Sequence, residues 1–445
     1  MTVSLENRVF LKKMRSLMPA IVGQEVLNAL VNILSTIMIG RAMGIHEITA
    51  VGIANQIFMS YSFIVAGVVG GCAVFIGQYH GKGDNNSIFK VMGIGYSALM
   101  AVTVLIFLFA QIFPQHLIGL FTQDLVVIEL AIPFIRIASI SYFLFAIIFL
   151  RNGAMRSMGK TKLPMITTGI ALFISFSLHY LFIFTLQAPL YIVALAPVVA
   201  RLVEAIAQQF LIKKHDIKIS TTFKKYFDFD LPYVKNFFKI SIYIVLHMII
   251  RSVAVSGYMI AYGFMGTDAQ GAVQVATATV QLLQIVAGSI GVTASIIMAN
   301  TLGSGDIPLA IRYSRKCLTL GIISTAIMSG VFILVSPYIV AFYLLEPAVE
   351  TYVHNILIIS SIGMVVRTIV FVNLGGILRG GGDTRFCFVI VLLAVLIGLP
   401  LAFAGAVWWQ LPVYWVVALV YSEEVFKAVF SLYRVFTNKW ANRIV

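Results

Sequence analysis

The chain has 445 residues, 60% hydrophobic and only 11% charged, with a mean hydropathy of +0.99 and a net charge of +14. An ordinary soluble domain carries about a quarter charged residues, and no soluble core could hide so many apolar runs of the roughly 20 residues that cross a bilayer. The positive charge does not indicate nucleic acid, because the basic residues sit in short loops between apolar runs, as juxtamembrane charges do.

In chain order, apolar runs near 17–39, 53–78, 91–112, 131–150, 164–186, 190–212, 240–264, 273–300, 318–341, 355–377, 386–407 and 412–433 predict twelve spans. Lipid offers the backbone no partners, so each span is a helix. The first run follows a basic N-terminus but is too long and too polar-studded for a cleaved signal. Cys72, Cys317 and Cys387 lie in or beside apolar runs, with neither a disulfide framework nor metal spacing. Residues 213–239 carry seven lysines and read as a linker between halves. The N-terminus, every second loop and the C-terminus together hold 25 of the 31 Lys and Arg residues, and the opposite ends hold only Arg41. The positive-inside rule then puts both termini in the cytoplasm of an inner (plasma) membrane protein.

The sequence repeats at an offset of about 222 residues. Gly-Lys-Gly-Asp at 81–84 recurs as Gly-Ser-Gly-Asp at 303–306, and Arg156–Lys162 recurs as Arg379–Arg385. Several matches at one offset indicate a duplication. Six spans per copy is an even number, so the copies run in the same direction through the membrane. Such parallel repeats are a recurrent transporter plan. The expected fold is an all-α membrane protein of two six-helix bundles, residues 1–215 and 240–445, joined by a linker at 216–239. The chain is read as a monomer.

Particular stretches resemble the multidrug and toxic compound extrusion (MATE) family: "LMPAIVGQEVLNALVNILSTIMIGRAMG", "AVGIANQI", "GQYHGKGD", "LRNGAMRSMGKTKLPM" and "LGGILRGGGDTR". The resemblance covers essentially the whole chain. It implies two bundles with a central cavity and a cavity in each lobe, and export of organic cations or similar amphipathic compounds driven by inward protons or sodium. The sequence also departs from the family. Where many members carry an aspartate on the first helix, this chain has Ser35, and the matching fifth-helix positions are Ser175 and His179. The acid that another branch carries on the seventh helix is also absent.

Charges at mid-membrane depth are costly and mark cavities, partners or function. Candidates for ion coupling are His179, Glu204, Glu423, Glu424 and Glu25, with Arg201, Arg251 and Arg367 as charge partners. Arg136 and Lys427, nearer span ends, read as snorkelling to the interface. Glu204 and Glu424 are expected to be repeat equivalents, buried within their lobes. Arg251 or Arg367 is expected to pair with Glu423 or Glu424, either as helix glue or as part of coupling. Glu25, Asn28 and Asn32 fall near helical spacing on the first span and form a cavity-facing stripe with Gln24 and Ser35 beside it, and Pro19 allows that helix to bend. Gln274, Gln281 and Gln284 form a similar stripe on the eighth, lining a cavity or bonding helices together. Ser175 completes the cavity candidates.

The leading expectation is an exporter of amphipathic, cationic drugs or metabolites, coupled to protons in preference to sodium. A proton needs one titratable group such as His179, whereas sodium wants several oxygen ligands. One alternative is a lipid-linked oligosaccharide flippase of the wider superfamily. A membrane-embedded enzyme would need a constellation such as HExxH or GxSxG, and neither occurs in the sequence. No catalytic residue, bound metal or cofactor is expected; the partners are a small-molecule substrate and membrane lipid.

Overall fold

Lipid-length apolar runs punctuated by glycine resolve into long helices. The structure, a computed structural model, describes residues 2–219, 223–226, 228–342 and 346–445. Within these, the side chains of residues 2–5, 32, 36, 41, 45, 223, 224, 342 and 348 are outside the description. The expected candidate Asn32 and the isolated Arg41 therefore lie outside the described side chains.

The long elements are α1 (Thr2–Ala42), α2 (Ile45–Lys82), α3 (Asn85–Ile112), α4 in two parts (Leu125–Ala138 and Ser141–Ser157), α5 (Lys162–Tyr180) and α6 (Leu195–Lys214). They continue with α7 (Leu231–Gly263), α8 (Thr267–Gly303), α9 (Ile307–Phe342), α10 (Pro347–Val370), α11 (Thr384–Phe403) and α12 (Val413–Phe436). Ten of these are long and apolar enough to cross a membrane, and the two parts of α4, bent by 50°, together make an eleventh. Every 18-residue stretch of α12 includes Glu423, Glu424 and Lys427, which sets it apart from the apolar eleven.

Pro133 removes the ladder bond to the Glu129 carbonyl, and the 50° bend itself lies further on, between Ala138 and Ser141. Polar side chains meet the carbonyls at the break. Ser139 Oγ donates to Arg136 O (2.9 Å), Ser141 Oγ to Ala138 O (2.7 Å), and Gln111 Nε2 on α3 to Arg136 O (2.8 Å). Without them the break would leave unmet carbonyls in an apolar layer.

Contacts divide the chain into two units. The N-terminal unit is Pro19–His80 with Asp84–Phe238; the C-terminal unit is Lys239–Val445 with Met1–Met18 and Gly81–Gly83. α1 continues as helix through Pro19, and the boundary falls there. Within the C-terminal unit Glu6 bridges to Arg312 (3.0 Å), and Phe10 packs on Tyr313 with ring centroids 5.3 Å apart.

The duplication is written into the backbone. Among the described residues, ten have left-handed or positive φ, and they form five pairs. Gly44 pairs with Gly266, Gly83 with Gly305, Gly159 with Gly382, Gln187 with Gln410, and Asp216 with Asn438, each pair 222 or 223 residues apart. Short π-helical segments at Leu181–Thr185 and Ala404–Trp408 are 223 apart. The Gly-x-Gly-Asp motif is helix punctuation. Gly83 ends α2 at φ +82°, and Asp84 then caps α3 by accepting from Ser87 N (3.1 Å). Gly305 and Asp306 repeat this, with Asp306 accepting from Leu309 N (2.9 Å).

These landmarks correct one sequence expectation. With the turns either side of α6 and α12 offset by 222–223, Glu204 aligns with Lys427 and Arg201 with Glu424. Pairing Glu204 with Glu424 would need a gap that the turns do not show, so the two glutamates are not equivalents. Asn152–Gln208 (2.7 Å) and Asn373–Ser431 (3.2 Å) are corresponding helix-to-helix bonds that fix the same register.

A third π-helical segment, Phe371–Leu378, follows α10. Asn152 precedes Arg156 by four residues, whereas Asn373 precedes Arg379 by six. The π turns take up the two extra residues without breaking the helix. Glycines let this segment and α8 approach backbone to backbone. A Cβ on Gly376 would lie 2.7 Å from Gly291 O, and one on Gly291 would lie 2.5 Å from Phe371 O. Gly376→Val should therefore abolish the monodisperse peak in fluorescence-detected size-exclusion chromatography. Gly375→Ala, where a Cβ meets nothing within 4 Å, should keep it.

Candidate functional site

In the N-terminal unit, four helices build one continuous polar chain. Arg156, at the end of α4, donates to Glu25 Oε1 (2.8 Å) and, through Nε and Nη2, to Gln24 Oε1 (3.0 and 2.7 Å) on α1. Gln24 Nε2 donates to Thr168 Oγ1 on α5 (3.1 Å), and that hydroxyl donates to Glu204 Oε1 on α6 (3.2 Å). Arg201 completes the chain, 3.7 Å from Glu204 Oε2 and with its guanidinium 4.6 Å from the Phe145 ring centroid. Glu204 is 3% exposed, as a carboxylate inside a lobe should be. Its partners are one neutral hydroxyl and one loosely held guanidinium, so it is the less tightly paired of the mid-membrane acids.

His179 and Ser175 stay outside this chain. Both are buried on α5, but His179 Nδ1 lies 2.7 Å from Ser175 O and 3.4 Å from Ser175 Oγ, so the ring is tied to its own helix. Eleven residues of helix separate Thr168 from His179, about 16 Å of rise.

The C-terminal unit holds a tighter cluster. Arg367 on α10 donates through Nε to Glu424 Oε1 (3.1 Å), the pairing expected from sequence. Lys427 Nζ reaches Glu423 Oε1 (2.6 Å) and Glu424 Oε1 (3.1 Å). The Tyr258 hydroxyl on α7 donates to Glu423 Oε2. Glu423, Glu424 and Lys427 are each 7% exposed. Lys427 does not snorkel; two desolvated carboxylates one turn back on its own helix hold it inside. Of the two arginines, Arg367 takes the glutamate, and Arg251 forms no ion pair among the described residues. Its charge bears on Glu423, Glu424 and Arg367, but its guanidinium rests over the Phe371 ring at 6.0 Å and is open to solvent. Glu424 Oε2 is buried without a hydrogen-bond partner among the described residues.

The polar stripes differ from the clusters. Gln24 bonds to α4 and α5, whereas Asn28, Gln274 and Gln281 are exposed and Ser35 and Gln284 half-buried, and among the described residues none of these five bonds to another helix. Between residues 50 and 81 the exposed positions of α2 are Gly52, Asn55, Gln56, Met59 and Ser60, and between residues 272 and 303 those of α8 are Gln274, Thr277, Ala278, Gln281 and Leu282. Each differs from its counterpart by 222 residues. The duplicated helices therefore leave the same face uncovered, and both faces are polar-rich.

Sequence reasoning missed Arg156, counted as a loop charge, and Thr168, Tyr258 and Lys427. A signal existed for Arg156, which matches Arg379 in the repeated motif, and for Lys427, which follows Glu424 and Glu423 by three and four residues on one helix. The contacts of Thr168 and Tyr258 join helices far apart in sequence.

A profile of the MatE family matches residues 19–181 and again 242–404, stretches displaced by the 223 residues that separate the turns. The chain belongs to the MATE family. The probable multidrug resistance protein YoeA of Bacillus subtilis is 21% identical over 349 residues, 76% of this chain and 74% of that protein. The probable multidrug resistance protein NorM of Thermotoga maritima is 36% identical over 116 residues, 25% of each. A solved multidrug resistance MATE transporter of the MOP superfamily, in an outward-facing conformation, shares the fold at TM-score 0.87 and 14% identity, over 96% of both chains.

In this MATE protein the α10–α12 cluster is expected to be structurally indispensable. Glu424→Gln strands Arg367 and should cost about 3–5 kcal/mol, seen as a lowered thermal midpoint in detergent. Adding Arg367→Met should restore part of the loss, because Lys427 keeps Glu423. Equal midpoints for Glu424→Gln and wild type would show that the pair holds nothing together.

Proposed function

We propose that this MATE protein is a secondary active exporter, moving amphipathic small molecules outward in exchange for inward protons by alternating access. In this reading it is a monomer of the inner (plasma) membrane with both termini cytoplasmic, and it catalyses no covalent chemistry. The observation that carries the reading is the matched, polar-rich face left uncovered on α2 and α8. Polar side chains on membrane helices are stable only against protein or water, so two equivalent uncovered faces are suited to lining a wetted substrate path.

Proton coupling is favoured over sodium by the company the carboxylates keep. A sodium ion at Glu424 would meet Arg367 and Lys427 beside it, whereas a proton needs only one oxygen of a carboxylate that is not already paired with two cations. Glu204 is the acceptor in the other unit, with Thr168 and Gln24 linking it to Arg156 and Glu25. The cationic substrate implied by the family resemblance finds a basic partner already on each of Glu25, Glu204, Glu423 and Glu424.

In everted vesicles, substrate should dissipate an imposed proton gradient. Transport should collapse with a protonophore and persist when choline replaces sodium. Glu204→Gln should lose proton-driven transport while retaining the monodisperse fold. Export abolished by sodium removal alone would overturn proton coupling.

A further inference from the structure

The two halves differ most where their post-helix arginines lie. Arg156 and Arg379 are repeat equivalents, three residues before the positive-φ Gly159 and Gly382. In the N-terminal half the guanidinium is satisfied by Glu25 and Gln24 on α1. At the offset of 222 that relates α1 to α7, Glu25 becomes His247, Gln24 becomes Leu246 and Ala29 becomes Arg251. The carboxylate has been replaced by imidazole, and a second guanidinium has been added one turn further along.

The Arg379 guanidinium consequently makes no ion pair or hydrogen bond with any described residue. Asp383, four residues on, is held by Arg434 (2.7 Å), and Glu423 and Glu424 are occupied by Lys427, Arg367 and Tyr258. The charges of Arg379, Arg251 and Lys427 all bear on His247, and those of Arg379 and Arg251 on each other. Arg251, Arg367 and Lys427 face two glutamates, and Arg379 adds a further positive charge beside Arg251, an excess of two in a setting where charge is expensive. Arg251 is exposed and His247 and Arg379 are half-buried, so solvent reaches all three.

We infer that Arg379, His247 and Arg251 form an anion site that takes the carboxylate or phosphate head of an amphipathic molecule, in the place that Glu25 fills in the other half. The N-terminal half supplies the template, a carboxylate oxygen 2.8 Å from the equivalent guanidinium. A planar guanidinium is suited to bidentate binding of such a head. The apolar tail would have the Phe371 ring beneath Arg251 to lie against. That the bound anion is cargo rests on the exporter reading; that it binds does not.

The test is scintillation-proximity binding of radiolabelled salicylate to the full-length protein in phosphatidylcholine nanodiscs. Saturable binding should be displaced by phenyl phosphate and not by benzylammonium, a cation of similar size. His247→Glu rebuilds the ion pair of the N-terminal half, and Arg379→Gln removes an unpaired charge; neither strands a partner, so both should stay monodisperse. Each should weaken salicylate binding by at least about tenfold, the loss of one charge-assisted contact. Absence of saturable binding, displacement by benzylammonium, or undiminished binding in His247→Glu would overturn the site. Loss of binding when phosphatidylglycerol replaces the neutral lipid would make a lipid headgroup the occupant and overturn the cargo assignment. Unchanged binding in that lipid supports cargo. Salicylate that binds but is not exported by everted vesicles would count against the exporter reading alone.

Discussion

A charge buried at membrane depth must find an opposite charge, a dipole or water, and most of this molecule's interior follows from that demand. Breaking a buried pair costs more than forming it gains, so such pairs settle which helices must stay together. In the C-terminal unit α10 and α12 are joined by Arg367 and Glu424, and Tyr258 brings α7 to Glu423. In the N-terminal unit α1, α4, α5 and α6 are strung together by a line of donors and acceptors running from Glu25 to Arg201. Neither arrangement is a loose collection of polar residues. Each contains a carboxylate that is not fully satisfied among the described residues: a loosely held bridge at Glu204, a buried oxygen without a hydrogen-bond partner at Glu424.

Duplication explains the frame, and divergence explains the chemistry. The turns have kept their positions and handedness, down to glutamines in the same left-handed conformation at 187 and 410. The charges have not been kept. Arg201 then Glu204 on α6 becomes Glu424 then Lys427 on α12, the same spacing with the sign order reversed. Glu25 has given way to His247. A backbone shared by both halves thus carries two electrostatic interiors, one close to neutral and one positive.

The frame was legible in the sequence because its signals are local. Apolar run length marks the helices, glycine followed by aspartate marks where one stops and the next starts, and lysine placement separates the two ends of the spans. The burial of Glu204 and Glu424 and the Arg367–Glu424 pair were legible too, since lipid leaves mid-span charges few alternatives. Partner choice was not. Whether Lys427 reaches outward or back to its own helix, and whether Arg156 belongs to a loop or to α1, depends on the depth and rotation of helices more than 100 residues apart. His179 looked like a coupling residue because of where it falls on α5; its ring turned out to be bonded to the carbonyl one turn behind it.

The five matched turns have a consequence for how such a chain can change. A segment lying between two of them, from Gly44 to Gly83 or from Gly266 to Gly305, begins and ends with the same backbone handedness and nearly the same length as its counterpart. The turns therefore act as seams. Cut at them, either half is a store of ready-fitted parts for the other. Exchange of whole helices by recombination could move a charge pattern from one interior to the other in a single event, with entry and exit directions already matched.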